Sequence, residues 1–271
     1  MNTTSRATHP SPAPRAGSPS FVATGWVLAR MAWARTMSPP VIAAVAGLVA
    51  LPMVFALLFA TGASATVGVT GDATDFLLQR YGSLVSGLAT PLIALLLGTG
   101  VWNAEAEDGT LLYLVTTTTP RWWIVASRWL FAAMLTGVLS VVAVWGTGMI
   151  VPGDQNADGL VTAFSVAVLF GSAVYSALFT LLALLTRRAL MVGLLYVIVW
   201  EGALAATFQA LRYLSVRQWM ITVAASLTGQ NHVPLEGGPS TGFVIVSAIV
   251  VVLATIWLGG RSLHRPRIAR S

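Results

Sequence analysis

The sequence predicts an all-α, polytopic membrane protein with about six transmembrane helices and an N-terminal interfacial helix. Three observations predict it. Hydrophobic residues make up 56% of the 271-residue chain and charged residues only 9%, against roughly 25% charged in an ordinary soluble domain. The apolar residues gather into runs of about twenty, the length that crosses a hydrocarbon core. Between the runs stand the Gly, Pro and charged residues that mark loops.

The first twenty residues carry Pro10, Pro12, Pro14 and Pro19 among Ser, Thr and Ala, a composition that forms no packed core and reads as a disordered tail. Residues 21–37 are apolar but hold Arg30 and Arg35. They are too short and too charged to span, and suit a helix lying in the interface with Trp26 and Trp33 at headgroup depth. Ser38-Pro39-Pro40 then starts the first span, since proline is well placed in a first helical turn. The spans are expected at about 41–60, 81–103, 129–152, 159–186, 189–211 and 241–260, within one membrane domain over residues 21–260, and residues 261–271 form a basic tail. Ala63-Ser64-Ala65 resembles a signal cleavage site, but nearly forty residues precede the apolar run, far more than a normal n-region. An uncleaved first span is the preferred reading.

All fifteen basic residues are arginine. With six spans, Arg6, Arg15, Arg30, Arg35, Arg121, Arg128, Arg187, Arg188, Arg261, Arg265, Arg267 and Arg270 fall on one side, and Arg80, Arg212 and Arg217 on the other. The positive-inside rule places the first set, and both termini, in the cytoplasm of a multi-pass plasma-membrane protein. The arginines edge apolar runs and form no surface stripe, so anionic lipid headgroups are their expected partners and nucleic acid is not.

The absence of cysteine excludes disulfides and thiolate metal sites. The absence of lysine excludes a Gly-x-x-x-x-Gly-Lys phosphate loop, so the chain has no such site for ATP. No zincin His-Glu-x-x-His and no Gly-x-Ser-x-Gly elbow occurs. His9, His232 and His264 are isolated, and Asp72 with Asp75 is a weak candidate for a metal site; no metal is expected.

Two segments could carry function. Glu105, Glu107 and Asp108, followed by Gly109, Thr110 and a short amphipathic run to Pro120-Arg121, put three acids on the basic side of the membrane. Either this is an ordinary polar loop or it presents charge to a soluble partner. Glu201 is the one acid inside a predicted span. A carboxylate at that depth is costly and faces protein or a water-filled cavity. It serves a cavity, a gate or a substrate contact, or else it is a protonated Glu hydrogen-bonded between helices, one near enough to the outer interface to reach water, or a member of an ion pair with Arg212 or Arg217. Pro52 and Pro91 fall within spans, as do small residues such as Gly82, Gly87 and Gly98 that permit close helix approach.

The acidic segment resembles the pattern Glu-x-Glu-x-Gly-Thr-Leu, a Thr-Pro-x-x-Arg turn and a basic residue seven positions on. This is the pattern of the ABC-2 type permeases, the membrane subunits of one class of ATP-binding-cassette exporters. The matching residues are Glu105, Glu107, Gly109, Thr110, Leu111, Thr117, Arg121 and Arg128, while Thr118 stands where the family usually has proline and Pro120 lies two places on. Trp200-Glu201 and the later Leu214-Ser215 are similar to a second family feature. The resemblance implies a transport subunit, not an enzyme. It would pair with a second permease chain and take its drive from a separate soluble ATPase that holds the ATP and magnesium. It further implies a helical outer cap between the fifth and sixth spans. Two alternatives stand beside it: an ion-coupled secondary carrier, and an intramembrane lipid-modifying enzyme.

Overall fold

A computed structural model of the chain describes residues 38–62, 73–107, 120–152, 159–228 and 238–262. These residues are 92% helical, with no strand among them. Helix α1 is Pro39–Ala60. The second membrane helix is built of α2 (Ala73–Arg80), a π-helical segment (Tyr81–Ala89, here π1) and α3 (Thr90–Glu107). Then come α4 (Arg121–Ile150) and α5 (Leu160–Leu185). The next rod is α6 (Ala189–Leu195), a second π segment (Tyr196–Leu204, π2) and α7 (Ala205–Thr207). A 3-10 turn (Gln209–Leu214) leads into α8 (Val216–Thr228), and α9 (Thr241–Ser262) closes the described chain.

The protein is therefore an all-α, multi-pass membrane protein. Among the described residues, five helices are long and apolar enough to cross a bilayer: 39–60, 73–100, 122–150, 160–185 and 241–262. The expected fifth span, 189–211, is shorter: its apolar helix covers Ala189–Leu204, and the backbone turns extended at Phe208 before the 3-10 turn. Two other spans begin before their apolar runs. The second starts at Ala73 and takes in Asp75 and Arg80, and the third starts at Arg121 and takes in Arg128. Their charge is accommodated by aromatic faces. The Arg80 guanidinium lies 4.9 Å from the Phe55 ring and 5.5 Å from that of Phe76. That of Arg128 lies 4.6 Å from the Trp102 ring, the desolvated geometry in which a cation–π contact is strongest. The expected interfacial helix 21–37 and both tails, save Arg261 and Ser262 at the end of α9, lie outside the described residues.

Helix α5 is the hub. Its buried residues recur along most of its length, from Leu160 through Phe164, Val168 and Tyr175 to Thr180. Small residues set the approach of its neighbours. A Cβ on Gly98 of α3 would lie 3.2 Å from the Phe179 Cβ of α5. Gly171 of α5 faces the Met220 side chain of α8 so closely that a Cβ there would collide with it. By contrast α1 and α9 keep broad apolar faces outward, with Val54, Leu57, Val250 and Leu253 more than half exposed, as lipid-facing helices do. Pro52, inside α1, is buried against the bundle.

One end of the bundle gathers the C-terminal ends of α3, α5 and α9 and the N-terminal ends of α4 and α6. Trp102 packs with Ile124 and Val125 there, alongside Leu184, and Gly259 faces both Leu184 and Val125.

Candidate functional site

The site centres on Glu201, which projects from π2 and is 1% exposed. Four donors reach its carboxylate. Tyr175 of α5 and Tyr196 of π2 each donate a hydroxyl to Oε1 at 3.2 Å. The backbone N–H of Val216 donates to the same oxygen at 2.9 Å. The Ser215 hydroxyl donates to Oε2. A carboxylate offers about four lone-pair sites; here three donors crowd Oε1 and one reaches Oε2. Aromatic rings wall it in: Tyr175 stacks on Phe179 with centroids 6.0 Å apart, Phe179 meets Tyr196 edge-on at 6.2 Å, and Tyr196 stacks on Trp200 at 6.5 Å.

The local backbone explains these bonds. Val216 is the first residue of α8, and first-turn N–H groups of a helix have no partner within it. Ser215 supplies half of the cap, since its Oγ accepts the N–H of Gln218 at 3.2 Å. Glu201 supplies the other half from a different helix, with its acceptor oxygen at the positive end of the α8 dipole. Tyr196 and Glu201 are five residues apart. In an α-helix such residues point about 140° away from each other. They meet here because π2 carries bonds between residues five apart, as from the Ala205 N–H to the Trp200 carbonyl.

Arg217, which the sequence places only among the outer-side arginines, joins this cluster from the first turn of α8: it is half-buried, and its Nε donates to the Gly82 carbonyl of π1 at 2.8 Å. Gly87 makes room for it: a Cβ at that position would stand 3.1 Å from Nε. Nothing in the order of residues marks Arg217, because the arginine follows a polar turn. The signal that could find it is the pairing of two glycines five apart, Gly82 and Gly87, with a helix whose apolar face includes Trp219 and Met220.

The helix expected between the fifth and sixth spans is present as α8. Helix α8 is inserted against α5, with Trp219, Met220, Ala224 and Ala225 buried. Tyr175 lies about 15 Å from the Leu185 end of α5 at 1.5 Å per residue, near the middle of that helix. The capped end of α8 therefore starts deep in the bundle. Trp219 Nε1 donates to the Tyr213 carbonyl at 2.8 Å, tying the helix to the turn before it, and Tyr213 meets Phe243 of α9 edge-on at 6.0 Å.

The acidic segment is described only at its rims. Glu105 and Glu107 belong to the last turn of α3 and Arg121 opens α4, though their side chains lie outside the described residues, as do Asp108, Gly109 and Thr110 altogether. Both rims lie at the bundle end that also carries Arg187, Arg188 and Arg261, so the acids of α3 and these arginines share one end. No protein-family model matches the chain, and no curated protein matches its sequence.

Proposed function

We propose that the chain is the membrane-spanning permease subunit of an ATP-binding-cassette exporter of the ABC-2 type. It forms the substrate pathway with a second permease chain and is driven by a separate soluble ATPase, which binds the ATP and magnesium. The chain sits in the plasma membrane with both termini cytoplasmic. The observation that carries the reading is the segment from Glu105 to Arg121, whose acids and Gly109-Thr110-Leu111 resemble the family pattern. Its rims lie at the arginine-bearing end of the bundle, the end the positive-inside rule assigns to the cytoplasm.

The rival readings draw less support. An ion-coupled carrier needs an intramembrane carboxylate with access to water. Glu201 is 1% exposed and accepts four hydrogen bonds. The same burial keeps it from the water and substrate that a general base for a lipid-modifying enzyme must reach.

The test is assembly. The purified chain should show no ATP turnover of its own and should copurify with a nucleotide-binding subunit. ATP hydrolysis by the chain alone, surviving controls for contamination, refutes the reading.

A further inference from the structure

The two π segments are met by consecutive residues of one helix end. Ser215 and Val216 bond to Glu201 in π2, and Arg217 bonds to Gly82 in π1. π-helix is well under 1% of residues in globular proteins and usually survives as single-turn bulges, frequently at functional sites. Here two nine-residue segments lie in different membrane rods, and the same turn holds both.

Each contact depends on π register. Gly82, whose carbonyl accepts from Arg217, and Gly87, whose missing Cβ admits the guanidinium, are five residues apart. Tyr196 and Glu201, joined by a hydrogen bond, are also five apart. In an α-helix neither pair would share a face, because same-face neighbours there are three or four apart. Conversely, relaxing a π turn to α would rotate all that follows by about 100° and break the bonds to α8.

We propose that the Ser215–Val216–Arg217 turn is a clasp that locks the rotational register of both rods at once. Release of α8 frees π1 and π2 together, so the second membrane helix and the rod from Ala189 to Thr207 turn as a coupled pair. Glu201 acts in this device as the positioning residue for α8. The inference stands on the geometry alone and does not rest on the permease reading.

The test uses the absence of native cysteine. Ala205, just beyond π2, and Ala189, well before it, are 6% and 1% exposed. Single cysteines at each position are labelled with a small maleimide in detergent, in the parental chain and in Ser215→Ala and Arg217→Gln variants. Each variant should raise the labelling rate at 205 about five-fold, the factor a lost helix cap typically contributes, with 189 unchanged. The Arg217→Gln result is decisive, since that residue's bond is to π1 and the reporter follows π2. Ser215→Thr keeps the hydroxyl and should return 205 to the parental rate. The proposal is overturned by a protected 205 in either variant, by a parallel rise at 189 and 205, or by failure of Ser215→Thr to restore protection. The readout requires neither ATP nor a partner, so its outcome is separable from that of the assembly experiment.

Discussion

Glu201 accepts the backbone N–H of Val216 at 2.9 Å, so that an acid on one helix closes the first turn of another. The two residues are fifteen apart in sequence, with a chain reversal between them. The bond turns an intramembrane carboxylate from a solvation problem into an anchor: its cost is offset by four donors that would otherwise also lack partners at that depth.

Removing the anchor should therefore cost stability. Glu201→Ala leaves three hydroxyls and a first-turn N–H buried without their acceptor, and the loss is expected to be about 3 kcal/mol. Glu201→Gln keeps one acceptor oxygen and should lose about 1 kcal/mol. Thermal melts in detergent read both. Parental stability in Glu201→Ala would show that the carboxylate does not hold α8.

Gly87→Ala tests the seat of Arg217. The added Cβ would stand 3.1 Å from the Arg217 Nε, so the side chain must shift and its bond to the Gly82 carbonyl weakens. The expected loss is about 1 kcal/mol, and it should largely vanish in an Arg217→Gln background, the non-additivity expected of residues in contact. Additive losses in the double variant would separate the two residues.

Much of this architecture is legible in the residues, because span length and charge exclusion act locally. The long uncharged runs of α1, α5 and α9 coincide with observed helices to within a few residues. The runs fail where a charge is tolerated by a partner distant in sequence. Arg128 cuts the expected third span short, yet it lies buried over Trp102. Arg217 reads as an outer-side arginine, and its bond to a carbonyl of another helix is carried by no local pattern. Glu201 is conspicuous as the one acid in an apolar run, but its partners Tyr175 and Ser215 are set by how α5 and α8 pack, which no local pattern encodes. The π turns are likewise invisible, since Tyr196 and Glu201 lie at a spacing that neither helix nor strand periodicity selects.

Gly171→Ala should be destabilising by about 1–3 kcal/mol, the usual cost of overpacking, because its Cβ would collide with the Met220 side chain. Met220→Ala in the same chain removes the colliding atoms and should restore part of the loss. If the pair is no better than Gly171→Ala alone, α8 does not pack on the middle of α5.

Sidedness is read with single cysteines at exposed positions. Thr61 and Ser240 lie at the end of the bundle opposite Arg187. An impermeant maleimide applied to intact cells should label Thr61→Cys and Ser240→Cys, and should reach Arg187→Cys only after permeabilisation. The reverse pattern would invert the proposed orientation and move Glu105 and Glu107 out of reach of a cytoplasmic ATPase.

That reach is the last matter to test. An ATPase that moves beneath the membrane must push on a stiff element, and α3 is one: eighteen residues of continuous helix, about 27 Å long. It is packed through Gly98 against α5, and its last turn holds Glu105 and Glu107. In the proposed permease, force on that turn would pass along α3 to π1, whose Gly82 carbonyl is bonded to Arg217 of α8. The bend between α5 and α6 offers only Arg187 and Arg188 as charged contacts. Carboxylates at 105 and 107 can form charge-assisted, directional bonds with arginines of a partner. Reversing both to Arg should reduce copurification of the ATPase about ten-fold or more, since like charges then face each other across the contact. Insertion should survive, because added positive charge at this end agrees with the topology rule. The control is Arg187→Ala with Arg188→Ala, which should leave copurification within about two-fold of the parental level, as exposed single charges contribute little. Full ATPase binding and full transport in the Glu105→Arg, Glu107→Arg chain would remove this segment from the coupling role.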